Sequence, residues 1–169
     1  MAHSDQPLKD GNLHLSAPHM NAAAIEALNL VPHSSLSFLN VGSGTGYMSC
    51  IVATILGPNS LHIGVELHDD VILHCTESVA RWKPTTHVTE KDGRHVFRFE
   101  EDDIADIQII KGNGLNISTS KGEGVVGFDR IYVGAAVSRA DLVNITSLLS
   151  PGGILVGPGE LFDYANYFI

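Results

Sequence analysis

Cysteine is scarce in this chain, cations are outnumbered, and apolar runs are short. Each shortage removes a class of protein. Only two cysteines occur, Cys50 and Cys75, both in apolar helical patterns. A disulfide scaffold is excluded, and the two read as core thiols in a reduced, cytoplasmic compartment. Ten Lys and Arg face nineteen Asp and Glu, for a net charge of −9. Binding to a nucleic-acid backbone rests on clustered cations, so no nucleic-acid partner is expected. No apolar stretch reaches the roughly 18 residues of a membrane span. The opening "MAHSDQPLKDGN" lacks a basic region followed by an apolar one, so no secretory signal is expected. Nine histidines are scattered without metal-ligand spacing. They read as ordinary surface or core side chains, with no metal site.

What remains is a globular profile. The 169 residues are 44% hydrophobic and 17% charged, enough for one domain with a sizeable core. Strand-like and helix-like segments alternate. Residues 16–30 place Ala, Leu, Ile and Met at helical spacing, with Ser16 as the expected cap and Pro18 in the first turn. Residues 36–41 predict a short strand, 47–57 a helix closed by Gly57-Pro58, and 61–67 a second strand. Residues 69–82 predict an amphipathic helix. Val71, Ile72, Cys75, Val79 and Trp82 recur on one face, with Asp69 and Asp70 at its positive end. Residues 106–112 and 127–137 supply a third and a fourth strand. Residues 138–150 predict a helix stopped by Pro151-Gly152-Gly153, before a fifth strand at 154–157. Apolar strands separated by helices imply an α/β fold with a mostly parallel sheet covered on both faces. Residues 83–103 are polar and turn-rich, with an acidic run from Glu100 to Asp103; they read as a solvated excursion or a short hairpin.

The densest signal is "LNVGSGTGY". Gly42, Gly44 and Gly46 follow a strand and open a helix. Bare main chain at that place lets a ligand approach backbone N–H groups, and the helix adds its positive end. Two ligand classes fit, a dinucleotide or an adenosyl group such as S-adenosyl-L-methionine. The dinucleotide fingerprint requires a third glycine where Tyr47 stands, so the alternating form suits a phosphate-free ligand better. Glu66 closes the second strand twenty residues past Gly46, and a carboxylate there can accept two hydrogen bonds from a ribose diol. Asn113 ends the third strand. Its carbonyl can accept from an adenine amino group, or it can simply form a turn with its glycine neighbours.

At this point the blocks "LHLSAPHMNAAAIEAL", "LNVGSGTGY", "IGVEL", "IIKGNG", "FDRIYVGAAV" and "LSPGGILV" are similar to those of the protein-L-isoaspartate (D-aspartate) O-methyltransferase family. The similarity runs from about His14 to Pro158. The glycine turn alone is shared by many class I methyltransferases, whereas "SAPHM" and "VGAA" are specific. The resemblance implies a Rossmann-like class I methyltransferase fold, with residues 1–169 as a single, partial domain. It implies S-adenosyl-L-methionine as cofactor and methylation of isoaspartyl residues in aged proteins, a repair reaction. Ser16 corresponds to the family's active-site serine. Leu13, His14 and Leu15 correspond to the stretch that lines the cofactor, and Asn21 to a variable position of the same block. Gly42, Ser43, Gly44, Thr45 and Gly46 correspond to the cofactor's glycine turn, with Thr45 its second small hydroxyl residue. Glu66 corresponds to the ribose-binding acid. Asn113 and Gly114 correspond to an Asp-Gly pair near the adenine.

"GNLHLSAP", "ILGP" and "ELH" resemble the domain-containing branch of the family more closely still. That branch implies an alternative: a cofactor-binding, catalytically weak substrate receptor for a ubiquitin ligase, a partner engaged only in a full-length form. Asn21, Asn40 and Asn113 stand where the classical enzymes carry His, Asp and Asp, and all three lean toward this branch. The family also has a helical region before the "SAP" block and two more strands after the fifth. The chain therefore reads as truncated at both ends, with the fifth strand left as a sheet edge.

Overall fold

The computed structural model describes residues 5–100, 103–117 and 127–157. A short antiparallel hairpin comes first, β1 (Leu8–Asp10) with β2 (Leu13–Leu15). There follow α1 (Pro18–Ala27), β3 (Ser37–Val41), α2 (Tyr47–Leu56), β4 (Leu61–Glu66) and α3 (Asp69–Trp82). A second hairpin, β5 (His87–Lys91) and β6 (Arg94–Arg98), leads to β7 (Ile107–Lys111), β8 (Phe128–Val133), α4 (Arg139–Thr146) and β9 (Leu149–Val156). Seven strands make one sheet in the order β5-β6-β7-β4-β3-β8-β9. The five from β7 to β9 run parallel, and the β5–β6 hairpin adds antiparallel strands at one edge.

The layering follows from the two-residue period of a strand. On β3, Phe38 packs with Ala24 and Leu28 of α1 and with Val52 and Leu56 of α2. Its neighbours Leu39 and Val41 face the other way, onto Ile131, Leu155 and Ile145 of α4. On β7, Ile107 and Ile109 meet Ile72, Cys75 and Val79 of α3. Helices α1, α2 and α3 thus cover one face and α4 the other. Full burial of such side chains is worth about 1.5–3 kcal/mol each, which fixes the sheet and hence its carboxyl edge. Among the described residues no helix is long and apolar enough to cross a membrane.

Several expectations need correction. Of the two forms expected for residues 83–103, the structure shows the hairpin, joined to the sheet rather than solvated on its own. Asp92 and Gly93 both have positive φ and close a two-residue hairpin turn. Strand β6 pairs with β7 and buries Phe97 completely. Part of the acidic run, residues 101–102, lies outside the described residues. Ser16 does not cap α1. The cap position is Ala17, with no side-chain bond, and the Asp5 carboxylate serves instead, accepting from the His19 N–H at 3.1 Å. The helix expected at 138–150 stops at Thr146, capped at its start by Ser138. Pro151-Gly152-Gly153 lies inside β9, where the pairing register with β8 shifts. Among the described strands β9 is an edge, where a missing N–H donor and a glycine with φ of 79° are tolerated. Trp82 leaves the buried stripe of α3. It is 43% exposed and stacks edge-on against Phe99. The third strand ends at Lys111, two residues before Asn113.

Candidate functional site

Parallel strands present their carboxyl ends at one edge, and every remaining site feature collects there. The turn after β3 is held by backbone bonds to both neighbouring strands. Gly42 and Ser43 donate to the Val65 carbonyl at 2.9 and 3.0 Å, and Gly134 donates to the Val41 carbonyl at 2.8 Å. All three turn glycines have positive φ, between 57° and 79°. Their surroundings differ. A Cβ on Gly42 would lie 2.7 Å from the Ala135 Cβ, and one on Gly46 would lie 2.5 Å from the Cys75 Sγ. Those two are bare because protein packs against them. A Cβ on Gly44 would meet nothing closer than the His14 carbonyl at 3.6 Å. Of the three, only Gly44 has room for a Cβ, in ordinary van der Waals contact with the His14 and Gly42 carbonyls.

Glu66, at the end of β4, is 7% exposed. Its Oε2 accepts from the Gly44 N–H at 2.9 Å, and its Oε1 accepts from Leu67 and His68 at 2.8 and 3.1 Å. The carboxylate therefore straps the glycine turn to the start of α3. A carboxylate offers about four lone-pair positions, so room for one further donor remains on Oε2. Beside it, Gly112 donates to the Glu66 carbonyl at 2.8 Å, and Asn113 Oδ1 accepts from Leu115 at 3.0 Å in a single 3-10 turn. Gly114 packs against Val41, where a Cβ would come within 2.6 Å.

Facing the turn is a small cleft of about 40 Å³. It brings together His14, Leu15, Ser16, Asn21, Gly42, Ser43, Gly44 and Thr45 of the expected residues, and adds Asn40, Tyr47, Met48, Tyr132 and Gly134. Gly46, Glu66, Asn113 and Gly114 sit behind or beside the turn, and Leu13 lines neither this cleft nor the larger groove described below. Asn21 donates to the Ser16 carbonyl at 3.1 Å and fixes that residue's main chain. Tyr132 lines the cleft with Ser16, and burial pushes its phenol above its ordinary pKa, against the smaller opposing effect of Ser16. Tyr132 was not expected from the sequence. The two-residue period of β8 carries the signal, since Tyr132 shares a face with Arg130 and not with Ile131. Arg130 is nearly buried and donates to the Leu28 and Asn29 carbonyls at 2.5 and 3.1 Å. A cation on these last carbonyls anchors the end of α1, and with it the segment that carries Ser16.

Two buried polar atoms at the cleft lack partners among the described residues, Asn40 Oδ1 and Ser43 Oγ. Asn40 donates to Ser49 Oγ at 3.0 Å, which leaves its carbonyl unmatched. Buried polar atoms are ordinarily paired, so a ligand supplying a donor there relieves a cost of about 1–3 kcal/mol. With the free position on Glu66, these acceptors fit the amino and hydroxyl donors of an adenosyl amino-acid group. The enclosed volume is below the 300 Å³ or so of an ordinary ligand pocket; the rest of the space opens to solvent. Cys50 and Cys75 are free thiols, pushed up to about 12 by burial. Among the described residues no three His, Cys, Asp or Glu side chains converge as metal ligands.

A parallel α/β sheet with a glycine turn after one strand and an acid closing the next defines the class I methyltransferase fold. A Plasmodium falciparum structure assigned to the protein-L-isoaspartate O-methyltransferases, solved with S-adenosyl-L-homocysteine, shares it. The TM-score is 0.68 at 24% identity, over 98% of this chain and 75% of that one. Within that class the chain belongs to the protein-L-isoaspartate(D-aspartate) O-methyltransferase family, whose profile matches residues 1–168. It is 28% identical to the wheat (Triticum aestivum) protein-L-isoaspartate O-methyltransferase over 92% of its length, and 30% identical to that of Caenorhabditis elegans over 99%. It spans 60% and 66% of the lengths of those two relatives.

Proposed function

We propose that this domain binds S-adenosyl-L-methionine at the glycine turn and methylates the carboxylate of isoaspartyl residues in polypeptides. The observation that carries the reading is that one cleft is shared by two sets of groups. The ligand-facing turn, with room at Gly44 and with Ser43 and Asn40 unmatched, forms one wall. Ser16, its main chain held by Asn21 and with Tyr132 beside it, forms the other. The cofactor, when bound, supplies an electrophilic methyl group. Gly44, Ser43 and Asn40 would hold its amino-acid part, Glu66 would take one ribose hydroxyl, and Asn113 would stand beside the adenine.

An isoaspartyl carboxyl has an ordinary pKa near 3.9 and is an anion at neutral pH. No general base is needed. What the protein supplies is position, and alignment of reacting groups accounts for several kcal/mol of a barrier. The Ser16 hydroxyl donates to the acceptor carboxylate and is not a nucleophile. The half-buried phenol of Tyr132 stays protonated beside Ser16 and is placed to donate to it or to the acceptor carboxylate. Two free, unreactive thiols suit a reducing compartment such as the cytoplasm.

The test is methyl transfer from radiolabelled cofactor to an isoaspartyl peptide, with the aspartyl isomer as control. A base-labile ester on the isoaspartyl peptide alone is expected. If folded protein binds S-adenosyl-L-homocysteine yet forms no ester, the enzyme reading fails and a receptor role replaces it.

A further inference from the structure

We infer that the apolar groove between α2 and α3 is a second substrate subsite, which takes a Leu- or Phe-sized side chain flanking the isoaspartyl residue. The inference rests on the acceptor reading above. The groove has a volume of about 520 Å³, far larger than the cleft at Ser16. Ile51 and Ile55 of α2 form one wall, Val79 and Trp82 of α3 the other, and no Asp, Glu, Lys or Arg lines it. Tyr47 at its head is 47% exposed and Trp82 at its foot 43%. Aromatic surface left open in a neutral depression marks a binding face, and such residues dominate peptide anchoring.

Two observations select the occupant. The first is continuity: Leu15, Thr45 and Tyr47 line both the groove and the cleft, so the two are compartments of one depression. The second is size. A cleft of about 40 Å³, with the cofactor's turn as one wall, leaves no room for a flanking side chain beside the acceptor carboxyl. The acceptor belongs to a polypeptide, whose extended backbone advances about 3.3 Å per residue. A residue or two from the acceptor, the chain therefore passes the Tyr47 partition and its side chain meets the groove. No Asp, Glu, Lys or Arg stands in the lining to pair with a charge, so charged flanks are disfavoured by desolvation.

Trp82 is the single tryptophan of the chain, so its fluorescence reports on the groove directly, whether or not chemistry follows. Isoaspartyl peptides with Leu or Phe flanks and with Gly flanks are titrated in the presence of S-adenosyl-L-homocysteine, and their methylation kinetics are measured separately. The expected result is a blue shift and quencher protection of Trp82 with the apolar peptide only. Its KM is expected about tenfold below that of the Gly peptide, as for burial of one aliphatic side chain. Thr54→Phe fills the groove from an exposed helix position and brings the two KM values together; Ile51→Asp does the same by charge. Ester formation with equal KM values and an unmoved Trp82 overturns the subsite while leaving the enzyme reading intact. Absence of ester and of cofactor binding sinks the enzyme reading, and Trp82 still reports whether the peptide enters the groove. Emission already blue and shielded without peptide also overturns the inference. If dilution reverses it, a second copy fills the groove; if not, another part of the same chain does.

Discussion

Replacing Glu66 separates its two roles. In the free protein the carboxylate accepts N–H groups of Gly44, Leu67 and His68 at 2.8–3.1 Å. Hydrogen bonds to a charged group are worth about 1.5–3 kcal/mol each. The three are not additive, because Leu67 and His68 are exposed and their N–H groups can turn to water. Glu66→Ala should therefore destabilise the fold by about 1–3 kcal/mol, chiefly through the buried link to Gly44. For a domain of this size that lowers Tm by about 2–4 °C per kcal/mol. Glu66→Gln keeps one accepting oxygen, satisfies either Gly44 or the α3 start, and should fall between. Urea unfolding reads this role. Calorimetric titration of S-adenosyl-L-homocysteine into the folded variants reads the other, and Glu66→Ala should weaken binding by about 1–3 kcal/mol. A Glu66→Ala protein as stable as wild type, with unchanged affinity, refutes both. Lost stability with intact affinity keeps the strap and removes Glu66 from the ligand.

Three further outcomes follow from single side chains. Tyr132→Phe retains the ring and removes the hydroxyl beside Ser16; kcat/KM for the isoaspartyl peptide should fall by about two- to tenfold, as for loss of one neutral hydrogen bond, with cofactor affinity and Tm unmoved. Unchanged kinetics would release Tyr132 from the site. His62 is buried on β4 against Phe38, with neither ring nitrogen partnered among the described residues, and burial lowers its pKa to about 3. The unfolded chain binds that proton near pH 6.5 and the folded one only near 3, so stability is full above 6.5 and declines as the pH falls between them. The decline amounts to about 4–5 kcal/mol at most, and urea midpoints of His62→Phe should be flatter over that window than wild type; parallel profiles would contradict it. Cys75, buried and raised to about 12, should react with a thiol reagent at neutral pH only on unfolding. Rapid labelling of Cys75 in the folded protein would show the burial to be wrong.

The parts of the fold legible in the sequence are those set by local pattern. The stripe of Val71, Ile72, Cys75 and Val79 located α3, and the structure bounds that helix at Asp69–Trp82. Apolar runs located the five parallel strands, and the glycine turn and Glu66 meet where the motif spacing put them. What the sequence did not disclose depends on partners distant in the chain. Asp5 replaces Ser16 as the α1 cap from fourteen residues away from His19. Arg130 reaches Leu28 across 102 residues. The turn-rich composition of residues 83–103 allowed a short hairpin, but did not show that its second strand would join β7. Pro151-Gly152-Gly153 read as a stop because edge strands absorb such residues and central ones do not. Among the glycines, the pattern could not separate Gly44, which has room for a Cβ, from Gly42 and Gly46, which are bare because Ala135 and Cys75 press on them.

The most direct test is calorimetric titration of S-adenosyl-L-homocysteine into the wild-type chain and into Gly44→Ala. The new methyl group fits 3.6 Å from the His14 carbonyl, between two residues that line the cleft, and the left-handed backbone there costs about 1–2 kcal/mol of stability. One-to-one binding to wild type, with at least about tenfold weaker binding to the folded variant, is the predicted result. No binding to folded wild-type protein at millimolar ligand, or equal affinity in the two, contradicts a cofactor seated on this turn.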